Sequence, residues 1–157
     1  MVLRTIYIFA FLLFSQQSYA AAQAIQHIIN QNHAPAGVVF EIVESDRDFL
    51  NLAIPQVSQY ASKLRKAYPN LSIAVVTHGK EQFALTLKNE NKHSQLHEKV
   101  KRLVNNENIT LHVCGTHASW LNIAPEEFPK FVDVAVAAPA QINDYRALGF
   151  LIIRLEK

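Results

Sequence analysis

Cys114, His117 and His78 are the residues of this chain whose types and spacing could do chemistry. Cys114 is the only cysteine, and it closes an apolar run from Ile109 that reads as a buried strand. Gly115, Thr116 and His117 follow at once, and the chain can then turn into a helix. A thiol at the carboxyl end of a strand, before a glycine-led turn, stands where α/β proteins place reactive groups. If the residues after it open a helix, their free N–H groups favour the nucleophilic thiolate. His117 could stabilise that thiolate or shuttle a proton. His78 leaves the second strand at Thr77-His78-Gly79 and could reach the same rim. The same position also suits a small packed side chain, because free cysteine is among the most buried residue types. His112 alternates with Cys114 along the strand and shares its face, so it reads as packed core or interface.

Other chemistries find less support. Cys114, His117 and His78 could form a Cys-His-His metal set, but structural zinc takes four ligands. A blue-copper site adds an axial methionine, and the only methionine is Met1. No metal is expected. A cysteine hydrolase would need a histidine base and an orienting group such as Asn143, and no local signature accompanies them. No Gly-x-Gly-x-x-Gly and no Walker loop is present, so no nucleotide cofactor is expected.

The elements that must position these residues alternate along the chain. Strands are expected at Val38–Val43, Ser72–Thr77, Ile109–Cys114, Val132–Ala138 and Phe150–Leu155. Helical spacing appears at Ile54, Val57, Ala61, Leu64 and Tyr68, again at Leu96, Val100, Leu103 and Val104, and between Pro139 and Gly149. Pro55 suits the first turn of its helix better than the middle. Phe83–Leu87 is ambiguous between strand and helix. The strands are continuous apolar runs, as when helices cover both faces of a parallel sheet. Glu41 interrupts the first run, which marks a sheet end or an interface. The predicted fold is α/β, a three-layer α/β/α domain with a mostly parallel sheet of about five strands. Its carboxyl rim gathers Gly79, Cys114, Gly115, Thr116, His117, Pro139 and Gln141.

The amino-terminal residues read as a targeting segment. Arg4 precedes an apolar core at Ile6–Phe14, far short of the ~20 residues that span a bilayer. Small residues then place signal cleavage after Ala20, or after Ala22. This divides the chain into a signal peptide at 1–20, an amino-terminal segment and linker at 21–37, and one domain at 38–157. The formal net charge is only +2, with no basic stripe interleaved with aromatics, so no nucleic-acid partner is expected. A membrane partner after processing is not expected either. One cysteine in an oxidising compartment forms no internal disulfide, so it is buried, paired with another molecule, or used.

Two segments carry a resemblance. Leu111-His-Val-Cys-Gly-Thr-His-Ala118 and Ala138-Pro-Ala-Gln-Ile-Asn-Asp-Tyr-Arg-Ala-Leu-Gly149, with the Val-Val-Thr-His-Gly exit of the second strand, resemble the DsrE/DsrF-like family. The resemblance runs roughly from Val38 to Leu155. It implies a homotrimer or homohexamer of small subunits. It also implies sulfur relay, with a persulfide carried on Cys114 and exchanged with a sulfur donor or acceptor protein. Relatives of that kind work in the cytoplasm, whereas this chain is expected in the periplasm. The alternative is a non-enzymatic oligomeric binding module in which Cys114 is structural.

Overall fold

The computed structural model describes residues 17–157. The apolar core expected of a signal peptide, Ile6–Phe14, lies outside the described residues. Five strands form one parallel sheet: β1 (Gly37–Ile42), β2 (Ser72–Thr77), β3 (Thr110–Cys114), β4 (Asp133–Ala135) and β5 (Phe150–Leu155), in the order β4-β3-β2-β1-β5. The fold is α/β, as the alternation of strand and helix signals requires.

The placement of the helices follows from the strand order. The connections from β1 to β2 and from β2 to β3 run in one direction across the sheet. Right-handed crossovers therefore put α2 (Leu50–Ala67) and α3 (Ser94–Asn105) on one face. The return from β4 to β5 runs the other way and puts α5 (Ala138–Ala147) on the opposite face. Alternation along the strands divides the core accordingly. Val38, Phe40, Ile42, Val75, Leu111 and Val113 pack with α2 and α3, whereas Val39, Ala74, Val76 and Cys114 pack with Ala138 and Ile142 of α5. A single helix covers the second face, and that face holds the thiol.

Helix α2 buries Leu50, Ala53, Ile54, Val57, Tyr60, Ala61 and Leu64, the helical stripe read from the sequence with one more turn at its start. Pro55 is therefore inside the helix rather than in its first turn. Its ring lies on the exposed face of the helix. Burial of a side chain such as Leu64, with no exposed surface, contributes about 2 kcal/mol. Tyr68 caps this helix, and its hydroxyl lies 2.8 Å from Ile28 O and 2.7 Å from Gln31 O. It thereby holds the end of α1 (Gln17–Ile29) against the domain.

Several expected boundaries change. Residues 21–37 hold most of α1 and the link into β1. Ala21, Ile25 and Ile28 of α1 are buried in the main core, and α1 packs on β5 and α2. The chain enters the domain one helix earlier because that stripe finds an apolar partner. The fourth strand is only Asp133–Ala135, since Val136 is already fully turned to solvent at 88 % exposure. Phe83–Leu87 is neither strand nor α-helix. It lies in two short 3-10 turns, Lys80–Leu85 and Leu87–Asn89, the first of them buried throughout Glu81–Leu85. Among the described residues no helix is long and apolar enough to cross a membrane.

Candidate functional site

The carboxyl rim is tied together by one buried carboxylate. Glu81 has no exposed surface. Its Oε1 accepts from the Thr77 hydroxyl at 2.6 Å and the Gly79 amide at 2.8 Å, and its Oε2 accepts from the Glu44 amide at 2.8 Å. The exits of β1 and β2 add main-chain bonds, His78 N to Ile42 O at 3.0 Å and Lys80 N to Glu44 O at 2.7 Å. Gly79 is required here by close approach. A Cβ at this position would lie 2.2 Å from Glu81 Oε2 and 2.3 Å from Glu44 O. Gly79 is thus a packing glycine of the rim, buried beneath it.

Cys114 ends β3 and is the N-cap of the short helix α4 (Gly115–Ser119). Its Sγ stands where a serine or aspartate oxygen stands in other caps and accepts from the His117 amide at 3.4 Å. The Ala138 amide, at the start of α5, donates to the same sulfur at 3.5 Å. Two main-chain N–H groups from two helix starts therefore converge on one sulfur. That arrangement is suited to a thiolate on Sγ. Cys114 is only 5 % exposed, so the thiol is covered despite its place on the rim. Its cover is α5, which begins directly over the end of β3.

The other expected site residues do different work. The Thr116 amide and hydroxyl both donate to Val136 O, at 3.0 and 2.7 Å, and latch the β4 exit to α4. Gly115 lets β4 come close, with Ala135 O 2.9 Å from where a Cβ would be. Pro139 lies exposed in the first turn of α5, where its missing N–H costs nothing, and Gln141 is half-buried one turn in. His78 turns away from the sulfur. Its Nε2 lies 3.0 Å from Glu41 Oε1, and this pair accounts for the charge that interrupts β1. The His117 ring is also not bonded to Sγ. Its Nδ1 lies 2.9 Å from His78 O and 3.1 Å from Gln82 Nε2, with the ring held between Phe83 and Trp120. The expected pairing of either imidazole with the thiol is corrected to contact through the His117 backbone. Cys114, His117 and His78 accordingly do not form a metal set. Among the described residues no group of three or more His, Cys, Asp or Glu side chains is arranged to hold a metal ion.

Sequence reasoning missed two residues. Glu81 and Gln82 are both fully buried, and Gln82 Oε1 accepts from the Cys114 amide at 2.7 Å. The sequence signal was a charged and an amide residue directly after a strand exit at Gly79, before an apolar Phe83-Ala84-Leu85 run. A depression of about 750 Å³ lies elsewhere, at the amino ends of the strands, lined by Ser58, Arg65, Glu107 and Asn108 among others. The Arg65 guanidinium there is spent on the carbonyls of Leu71, Glu107 and Asn108, which fasten the turns before β2 and β3.

His112 lies on the Cys114 face, and its Nε2 is 2.9 Å from the Tyr145 hydroxyl of α5. Burial pushes its pKa below the ordinary imidazole value, with Asp133 across the β3–β4 ladder opposing in part. The folded state therefore prefers neutral His112. The stability this adds is fully present above the unfolded value of about 6.5 and is lost as pH falls through the lower folded value. Urea unfolding midpoints should drop between pH 7 and mildly acid pH (about 5), and His112→Gln should flatten that drop. An equal drop in both proteins would assign it to other groups.

Comparison with known proteins agrees with the fold and extends no further. No family model and no curated protein matches the chain. Solved structures similar to the chain include two of proteins described as of unknown function. MTH1491 of Methanobacterium thermoautotrophicum aligns with a TM-score of 0.59 at 21 % identity, over 74 % of this chain and 96 % of its own. BT1422 of Bacteroides thetaiotaomicron aligns with a TM-score of 0.54 at 12 % identity, over 76 % of this chain and 95 % of its own. The chain shares their fold.

Proposed function

We propose that this protein is an exported sulfur carrier of the DsrE/DsrF-like type, holding sulfane sulfur as a persulfide on Cys114. The observation that carries the reading is the convergence of the His117 and Ala138 amides on Sγ. In the loading step the Cys114 thiolate attacks the outer sulfur of a donor persulfide. A new S–S bond forms on Cys114, the donor's S–S bond breaks, and the donor leaves as a thiolate. In the release step an acceptor thiolate attacks the outer sulfur and Cys114 departs as thiolate. In both steps the Cys114 thiolate, attacking in the first and departing in the second, carries its charge where the two N–H groups point. The absence of a second cysteine in the chain supports the same reading, because nothing internal can resolve the persulfide early. Intact mass of the native protein after polysulfide treatment tests it. One added sulfur per chain, removed on addition of an acceptor thiol, is the expected result. An unchanged mass would reject it.

One observation favours the second reading, an oligomeric binding module with a structural cysteine: Sγ is almost wholly covered. Both readings share an assembly proposal. Among the apolar side chains around β4, Val132 is buried and Phe131 and Val134 are half-buried, whereas Trp120, after α4, is 73 % exposed. Leu121 and Val136 are exposed beside it in the chain and across the Thr116 latch. Such a surface supports a homotrimer or homohexamer. Light scattering at micromolar concentration should give a mass several times that of the chain, and Trp120→Glu should lower it. A monomer mass for the unaltered protein would contradict the proposal.

Export to the periplasm is part of the same proposal. Cleavage after Ala20 leaves the buried Ala21 in its packing position, whereas cleavage after Ala22 removes it. The fold thus favours the first site. Mass measurement of the mature protein should place its first residue at Ala21, and an intact Met1 would contradict export.

A further inference from the structure

We infer that Gln82 is the positioning residue of the thiol site, and that it holds the His117 ring in the tautomer whose proton is on Nε2. The functional consequence rests on the sulfur-carrier reading; the tautomer does not.

Gln82 is fully buried, and each end of its carboxamide has one protein partner. The Cys114 amide can only donate. It therefore fixes which end of the carboxamide is oxygen, and Gln82 Oε1 accepts from it at 2.7 Å. The other end is then NH2, and it faces His117 Nδ1 at 3.1 Å. His78 O faces the same nitrogen at 2.9 Å. Nδ1 is thus set between an obligate donor and an obligate acceptor, and it can satisfy only one.

Burial decides between them. With the proton on Nδ1, the ring donates to His78 O, and the fully buried Gln82 NH2 is left opposite an N–H with no acceptor. With the proton on Nε2, Nδ1 accepts from Gln82, and only the His78 carbonyl loses a donor. Orphaned buried N–H groups are rarer in proteins than under-satisfied carbonyls, and leaving a buried donor unmade carries the full desolvation cost. His78 is partly exposed, 18 % at its side chain, whereas Gln82 is fully buried. The Nε2–H tautomer follows. Nε2 has no hydrogen-bond partner among the described residues and is not sealed from solvent. His117 therefore offers a free N–H rather than a free lone pair. In the carrier reading, that N–H would serve an arriving or departing sulfur anion, and Gln82 acts through it.

The test is the nitrogen spectrum of the His117 ring in the full mature protein above about pH 8, where a free imidazole is neutral. The resonance is assigned by its loss in His117→Ala. The unaltered protein should show Nε2 protonated. Gln82→Glu, which replaces the donor with an acceptor, should move the proton to Nδ1. Gln82→Met, which leaves His78 O as the only partner, should do the same. Sulfur release from the loaded protein to an acceptor thiol should slow at least about tenfold in Gln82→Glu. A proton on Nδ1 in the unaltered protein overturns the inference even if neither variant folds. A tautomer that stays on Nε2 in folded variants overturns it as well. If the predicted tautomers appear but no form takes up sulfur, the positioning role stands and the sulfur-carrier reading falls.

Discussion

Cys114→Ala should abolish sulfur loading completely and leave the fold intact. Sγ is the one thiol of the chain, so no other side chain can substitute for it. The structural loss is small. Sγ accepts two long hydrogen bonds, at 3.4 and 3.5 Å, and packs beside small side chains such as Ala74 and Ala138. Removing one buried atom of that size costs about 1 kcal/mol, a modest part of the roughly 5–15 kcal/mol that stabilises a domain. The expected mass spectrum after polysulfide is a single unmodified species. The expected shift in urea midpoint is slight. A variant that unfolds, or one that still gains sulfur, would show that the thiol's role is assigned wrongly.

Gly79→Ala should produce the largest loss of stability of any single methyl group added to the rim. The new Cβ would meet Glu81 Oε2 at 2.2 Å, Glu44 O at 2.3 Å and Glu44 N at 2.4 Å. Two of those atoms are backbone, so the clash is not relieved by a rotamer change. Relief requires the β1 and β2 exits to separate, which also breaks the Gly79 and Glu44 hydrogen bonds to Glu81. We expect a loss of about 3 kcal/mol, read as a lower urea midpoint at unchanged slope. Because Gln82 is the next residue in the same turn, the variant should also disturb the Cys114 and His117 contacts. A stability within about 0.5 kcal/mol of the unaltered protein would contradict the close packing described for this turn.

The residues that were legible from sequence are those whose signal is local. β2 and β5 match their expected ranges because each is a continuous apolar run, and the second is set off by Gly149 at a positive φ of 83°. The stripe of α2 was legible for the same reason, although its start was not. Leu50 and Ala53 extend it backwards through a turn with no side-chain cap. The 3-10 turn at Lys80–Leu85 was not legible. Its shape depends on Glu81 reaching the Glu44 amide 37 positions earlier and on Gln82 reaching Cys114 32 positions later. No local periodicity carries such contacts. The position of Cys114 on the rim could be read from strand order and polarity alone. Its burial could not, because that depends on α5 returning across the sheet to begin over β3. The directions of the two imidazoles were hidden in the same way. His78 was claimed by Glu41 on the neighbouring strand, and His117 by the carbonyl of His78 and the amide of Gln82.

The central claim is that a covered thiol works from the folded state. It requires that Cys114, only 5 % exposed, be reached through local opening of the Val136–Ala137 turn, where Val136 is 88 % exposed, without global unfolding. The most direct measurement is the rate at which iodoacetamide labels Cys114 in the native protein, followed alongside the global unfolding rate across a urea series well below the midpoint. The account predicts labelling of the folded protein at a rate that exceeds global unfolding and stays nearly constant at low urea. Labelling that tracks the unfolding rate, and is absent until the protein unfolds, would contradict the sulfur-carrier account and leave Cys114 a structural residue.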